Sequence, residues 1–136
     1  MGDFDVSTAT LLRVPSRQNR GDADPSGHAP LGFARVRGAS MTPTLRAGDL
    51  LLVRYSARVR PGALVLARFP DGTLAVKRAV ERRTTRTGEP AWWLLSDNPD
   101  EGVDSRHRGP VADPDVRGVV VARVWPRPRV VFPAGR

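Results

Sequence analysis

The chain has 136 residues and a mass of 14.8 kDa, which is the size of one domain and excludes a second large domain. Its 40% hydrophobic content, 13 glycines and 13 prolines favour short strands joined by turns over a helical bundle. Cysteine is absent and the two histidines are His28 and His107, so we expect no disulfide, no metal site and no cofactor.

The net charge of +8 is compatible with a polyanionic partner. The basic residues are scattered rather than grouped in runs, and few aromatic residues accompany them, so the pattern argues against nucleic acid. Of the 22 basic residues, 21 are arginines and one is Lys77. Because a lysine can lose its proton near neutral pH and an arginine cannot, this single lysine is a candidate base.

Residues 1–30 contain 3 arginines, 4 aspartates and little apolar periodicity, which predicts a flexible N-terminal tail before a folded domain over 31–136. No apolar run approaches the roughly 18 residues of a membrane span. The first residues also lack the apolar core of a secretory signal. We therefore expect a soluble, cytoplasmic protein without a membrane anchor.

Short runs typical of β-strands recur from Phe33 onward, with turn signals between them. The runs cover residues 33–37, 50–55, 63–69, 73–81, 92–96 and 117–125. Asp71-Gly72, which separates two of them, is a hairpin signal. Residues 41–45 predict one short helical turn. The expected fold is mainly β, a single antiparallel domain with a short helical turn after Ser40.

A serine hydroxyl attacks a peptide bond only when a base takes its proton, and Lys77 is the candidate base for Ser40. For this role the pKa of the lysine must fall from about 10.4 to about 7 or 8, which burial can cause. Strand alternation places Ala75 and Ala79 on the same face as Lys77, and Arg78 on the opposite face. The alternatives are an edge-strand lysine that limits aggregation and a serine that caps the helical turn.

Three sequence blocks, in order, resemble the type I signal peptidase family of Ser/Lys proteases in the S24/S26 superfamily. They are GASMTPTL at 38–45, VKR at 76–78, and SDNP at 96–99 followed by DSR at 104–106 and GPV at 109–111. The resemblance covers about residues 33–126 and implies a signal-peptidase-like antiparallel β domain. It also implies that Ser40 is the nucleophile, that Lys77 is the general base, and that the Ser40 amide helps to bind the oxyanion.

The resemblance and the alternation together predict the surroundings of this pair. The residues expected at the oxyanion site and the substrate groove are Gly38, Ser40, Met41, Ala75 and Ala79. The residues expected to support the site are Arg78, Asp97, Asn98, Asp104, Ser105 and Arg106. Within this second group, the resemblance predicts that Arg78 pairs with Asp104.

The chain departs from the family pattern at two glycines. Gly38 stands where many bacterial members carry a hydroxyl residue that serves as the second oxyanion donor. Gly102 stands where the family often has a serine in contact with the lysine. We therefore expect a water molecule or a backbone group to hold Lys77 in place of that serine.

The substrate is implied by a closer resemblance within the superfamily. The opening GASMTPTLRAGDLLLVRY and the pair Trp92-Trp93 resemble the small soluble group that matures nickel-type superoxide dismutase. This implies removal of an N-terminal propeptide from the dismutase precursor, with nickel as the metal of the substrate.

Three alternatives remain. A signal-peptidase-like enzyme for another precursor would share every catalytic residue. An SOS-repressor-type autoprotease would share the Ser/Lys pair, but the Ala-Gly or Cys-Gly pair that it would cleave is absent from residues 1–37. A basic β-barrel binding module would carry an inert Ser40 and bind polyanions in a salt-dependent way.

Overall fold

The computed structural model describes residues 9–12 and 31–131, which form mainly antiparallel strands. The elements in chain order are β1 (Ala9–Leu12), β2 (Leu31–Val36), β3 (Leu50–Tyr55), β4 (Leu64–Arg68), β5 (Leu74–Thr84), β6 (Pro90–Leu95), α1 (Ser105–Arg108), β7 (Val111–Ala112), a 3-10 turn (Asp113–Asp115), β8 (Val116–Trp125) and β9 (Arg129–Val130). The mainly antiparallel β fold that the sequence predicts is therefore confirmed.

The strands form where apolar, β-branched runs lie between turn residues. β3 has the predicted bounds, whereas β5 extends three residues beyond its predicted end because Arg82, Arg83 and Thr84 continue to pair with β6. The Asp71-Gly72 turn joins β4 to β5 as predicted, and Gly72 adopts a φ of 91° there.

The strands of the described chain lie in one sheet, in the order β1-β2-β3-β8-β4-β5-β6-β7, with β9 paired to β8. Every pairing is antiparallel. β8 comes late in the sequence but lies between β3 and β4, where Val120 is opposite Val53 and Val119 is opposite Val65. β3 and β4 are thus joined in the middle of the sheet by a strand that is distant from both in sequence.

Apolar side chains are buried on both faces of the central strands. Leu66 and Val76 belong to one cluster of buried residues, the first core cluster. Their neighbours Val65 and Ala75 belong to another, the second core cluster. Because successive strand residues point to opposite faces, β4 and the first half of β5 are covered on both sides. A polar side chain at such a position is removed from water.

β1 lies inside the segment that we expected to be a tail, and it forms an edge of the sheet by pairing with β2, with Leu12 opposite Phe33. The other residues of the expected tail, 1–8 and 13–30, lie outside the described residues. Among the described residues, no helix has the length and apolar character needed to cross a membrane.

Candidate active site

Lys77 is completely buried in the middle of the sheet. It lies on β5, which pairs with β4 on one side, where Val65 is opposite Lys77, and with β6 on the other. The interpretation of Lys77 as an edge-strand lysine is therefore wrong. Ala75 and Ala79 lie on either side of Lys77 along β5, at the alternate positions that share its face. Both are buried in the second core cluster.

Ser40 begins a tight turn between β2 and β3. The Leu45 amide donates to the Met41 carbonyl at 2.8 Å, which closes a single helical turn. Before it, Gly38 has a φ of 80°, a conformation that favours glycine. Ser40 is completely buried, and the Lys77 Nζ lies 3.0 Å from the Ser40 Oγ. The structure thus brings the predicted nucleophile and the predicted base into hydrogen-bond contact.

A second serine, Ser96, also contacts the lysine. The Lys77 Nζ donates to the Ser96 Oγ at 3.0 Å, and Ser96 is 8% exposed. The expectation that a water or a backbone group holds Lys77 is therefore corrected, because a side-chain hydroxyl at another place in the sequence does so. The β5–β6 pairing explains the contact: Arg78 lies opposite Leu95, so the next step of this register brings Lys77 opposite Ser96.

Gly102 packs directly against the pair. A Cβ added at this residue would lie 2.6 Å from the Ser40 Cβ and 3.3 Å from both the Lys77 Nζ and the Ser40 Oγ. Its φ of 78° is also one that other residues rarely adopt. The serine that the family often has here does not fit this backbone, and Ser96 provides the hydroxyl instead.

Asp104 fixes the backbone of Ser96 through a hydrogen bond. Its buried carboxylate accepts the Ser96 amide at 2.8 Å, and it accepts the amide and the guanidinium of Arg106 at 3.0 to 3.1 Å. The predicted Arg78–Asp104 pair is therefore wrong, because Arg106 occupies that carboxylate. Arg78 is bound elsewhere.

Arg78 makes a two-contact ion pair with Asp97, at 2.6 and 3.1 Å. Both side chains are 16% exposed. The same carboxylate accepts the Thr44 hydroxyl at 2.6 Å. Because Thr44 lies in the turn that begins at Ser40, this ion pair ties the turn to β5, the strand that carries Lys77.

Asn98 fixes the other end of this turn. Its amide donates to the Ser40 carbonyl at 2.8 Å, and its side-chain amide donates to the Ala39 carbonyl and the Thr42 hydroxyl. Ser105, at the start of α1, accepts the Leu94 amide at 2.9 Å. Asn98 and Ser105 thus contact the backbone on either side of the two serines.

The predicted groove residues are mostly core residues. Met41 is completely buried in the first core cluster, and its sulfur accepts the Asp97 amide. Ala75 and Ala79 are 2% and 0% exposed, so they do not line an open groove. The reason is that β5 is an interior strand with both faces covered. Gly38 is the partly exposed member of this group.

The charge of Asp104 depends on two opposing effects. Burial alone would raise the pKa of its carboxyl, but the Arg106 guanidinium and the amides of Ser96 and Arg106 stabilise the carboxylate and lower the pKa below its usual value. A carboxyl whose pKa is lowered by folding stabilises the fold above its unfolded pKa of about 3.9. This contribution is lost as the pH falls through the lower pKa of the folded state.

We therefore expect Asp104→Asn to lower the free energy of unfolding by about 2 kcal/mol at pH 7, since an amide replaces an acceptor of charged hydrogen bonds. The difference from wild type should begin to shrink below about pH 4, where the carboxyl of the unfolded chain takes up a proton, and should vanish as the pH falls through the lower pKa of the folded state. Urea unfolding at pH 7, 5 and 3 measures it. Asp71→Asn is the matched control, because its partner Arg108 and the aspartate are both exposed and such pairs contribute little. An equal loss in both variants would contradict the role assigned to Asp104.

Comparison with known proteins identifies the family of the chain. Residues 6–121 match the model of the Peptidase S24-like family. Mitochondrial inner membrane protease subunit 1 of Xenopus tropicalis is 31% identical over 110 residues, which span 65% of this chain and 66% of that protein, slightly less than two thirds of its length. The described residues contain no group of three or more His, Cys, Asp or Glu side chains that would hold a metal ion. The chain belongs to the Peptidase S24-like family of serine peptidases.

Proposed function

We propose that this chain is a serine endopeptidase in which the Ser40 Oγ is the nucleophile and the Lys77 Nζ is the general base. The observation that carries the proposal is the 3.0 Å contact between these two atoms, with both residues completely buried. A lysine and a serine at this distance are within reach of direct proton transfer. A basic binding module has no need to bury its single lysine against a serine.

The buried position favours the reactive form of the amine. Burial disfavours a charged group relative to its neutral form, and a neutral amine carries the lone pair that a base needs. In this form the Ser40 hydroxyl donates its proton to Nζ along the observed contact. The Ser96 Oγ, which accepts an N–H of the same amine, turns the lone pair towards Ser40.

The reaction then follows from these groups. The Ser40 Oγ attacks the carbonyl carbon of the peptide bond while Lys77 takes the hydroxyl proton, and the Ser40 amide stabilises the oxyanion. Lys77 returns the proton to the leaving amine, which breaks the C–N bond and leaves an acyl-enzyme. Lys77 next takes a proton from water, the hydroxide attacks the ester, and the Ser40 oxygen recovers the proton.

If Ser96 orients the amine, Ser96→Ala is expected to lower kcat by about 10- to 100-fold, because a small misplacement of a reacting group has an effect of this size. KM should stay nearly constant, since in the proposed mechanism Ser96 contacts the lysine and not the substrate. Initial rates against substrate concentration separate the two constants.

Ser96→Thr is the matched variant, because it keeps the hydroxyl and should keep most of kcat. Equal losses in the alanine and threonine variants would indicate a packing role and contradict orientation by the hydroxyl. Thermal unfolding of both variants shows whether the fold is kept.

For the substrate, we propose a precursor protein that loses an N-terminal propeptide in the cytoplasm, with the nickel-type superoxide dismutase precursor as the first candidate. Support comes from the resemblance of residues 38–55 and of Trp92-Trp93 to the group that matures this dismutase, and from the peptidase family of the chain.

The test is incubation of purified protein with this precursor, followed by mass spectrometry of the product's new amino terminus and of the protease itself. A single cut in the precursor, with the protease intact, supports the substrate. No cut in this precursor by folded wild-type protein would contradict it as the substrate. A cut within the protease itself would support the SOS-repressor-type alternative.

A further inference from the structure

A cleft of about 1140 Å³ opens in a part of the molecule that the Ser40–Lys77 pair does not use. It lies between the loop after β3, the β4–β5 hairpin and the start of β8. Ser40, Lys77 and Ser96 are not among its lining residues. The loop is fixed beside it, because the Ser56 amide donates to the Arg117 carbonyl at 3.2 Å. The cleft is therefore separate from the candidate active site.

The lining of this cleft is strongly basic. Arg58, Arg68 and Arg117 are exposed there, and within the described chain no ion pair or side-chain hydrogen bond involves their guanidinium groups. Arg82 is a fourth lining arginine, but it is bound by two contacts to Asp113, the one carboxylate in the lining. Three guanidinium groups are thus available to an anionic ligand.

The floor of the cleft is apolar. Tyr55 and Leu74 line it and pack against the first core cluster, to which Leu66 also belongs. A ligand that satisfies both the floor and the arginines carries carboxylates together with apolar side chains. Carboxylates suit the guanidinium fork because they accept two parallel hydrogen bonds from it. An acidic peptide with interspersed apolar residues has this composition.

Nucleic acid suits the cleft less well. Proteins that bind single strands stack the bases on open aromatic faces. The two aromatic residues of the lining are Tyr55, which packs against the core, and Trp92, which is 4% exposed and lies under the Arg82 guanidinium at 5.0 Å. The lining therefore offers one partly buried ring, Tyr55, rather than a row of open aromatic faces on which successive bases stack.

We propose that this cleft binds an acidic, partly apolar peptide segment of a protein partner, at a site distinct from the Ser40–Lys77 pair. The three exposed arginines bind the carboxylates, and the partly buried side chains of Tyr55 and Leu74, which cover the completely buried Leu66, receive the apolar side chains. The peptide is bound in this cleft and not cleaved, so its binding does not require the Ser40–Lys77 pair.

The test uses the full chain with Ser40→Ala, so that a probe cannot be consumed. The probe is a short fluorescent peptide of alternating glutamate and leucine, and fluorescence anisotropy gives its Kd. Arg58→Ala with Arg117→Ala is expected to weaken binding by at least about tenfold, since each removes a charged hydrogen-bond donor. The control is Arg83→Ala with Arg86→Ala, which removes the same charge outside the cleft and should change Kd by less than about threefold.

Three outcomes would overturn the proposal. The first is that the peptide does not bind to the folded protein. The second is that both double variants weaken binding equally, which would indicate general charge attraction. The third is that a single-stranded oligonucleotide of equal charge binds more tightly than the peptide and loses affinity in the Arg58→Ala, Arg117→Ala variant. Thermal unfolding of both double variants shows that a loss of binding is not a loss of fold.

Discussion

Lys77→Met is expected to leave the fold intact and to slow peptide cleavage by at least about 10³-fold, because loss of a general base in a catalytic unit has effects of this size. The methionine side chain is close to lysine in length and is apolar, so it suits a position with 0% exposure. It carries no group that takes a proton from the Ser40 hydroxyl. Steady-state cleavage rates and thermal unfolding of the same preparation measure both expectations.

Lys77→Arg completes this experiment, because a guanidinium keeps the positive charge but does not lose its proton near neutral pH. The two variants differ in charge and share the absence of a base, so an equal loss of activity in both identifies proton transfer as the missing function. Activity within about tenfold of wild type in either folded variant would remove Lys77 as the base.

Gly102→Ala is the second substitution with a large expected effect. The added Cβ would lie 2.6 Å from the Ser40 Cβ, so the serine must move, and displacement of a nucleophile costs activity steeply. The φ of 78° adds backbone strain of about 1 to 3 kcal/mol. We expect at least about 100-fold slower cleavage together with a lower unfolding temperature.

The control for strain is Gly72→Ala. This glycine has a φ of 91°, but an added Cβ meets nothing within 4 Å, so the variant should lose stability and keep its catalytic rate. A further consequence concerns the family's usual serine: Gly102→Ser should not restore the activity that Ser96→Ala loses. Full activity of a folded Gly102→Ser chain would contradict the close packing at this position.

Much of the fold follows from local sequence. The runs of apolar and β-branched residues and the Asp71-Gly72 turn predict the principal strands because these signals act over a few residues. The place of β8 between β3 and β4 does not follow, since it depends on packing between distant segments. The two-residue strands β7 and β9 also lack a sequence signal of their own.

The sequence predicts some residues of the candidate site and not others. Ser40 and Lys77 are identified by their chemistry and their blocks, and the structure brings them together. Ser96 was missed because its contact depends on the β5–β6 register, which shifts between Ala79 and Glu81, and one residue of shift reverses the face of every side chain.

The ion pairs and the groove show a further limit of sequence reasoning. Asp97 and Asp104 lie in one loop region, and which of them binds Arg78 is decided by α1, where Asp104 is the N-cap and accepts from Arg106. Likewise, small residues beside Lys77 are equally compatible with a groove and with a packed core. Burial on both faces of β5 decides this, and it depends on the whole sheet.

The most direct test of the central claim, that Ser40 is the nucleophile, is cleavage of a proteome-derived peptide library by wild type and by Ser40→Ala, with new amino termini identified by mass spectrometry. Ser56→Gly is the control, because it removes an exposed hydroxyl at a φ of 60°, a conformation that glycine adopts readily. We expect the wild type and Ser56→Gly to share a set of cleavage sites and folded Ser40→Ala to yield none of them. Cleavage of the same sites by Ser40→Ala at the wild-type rate would contradict this claim.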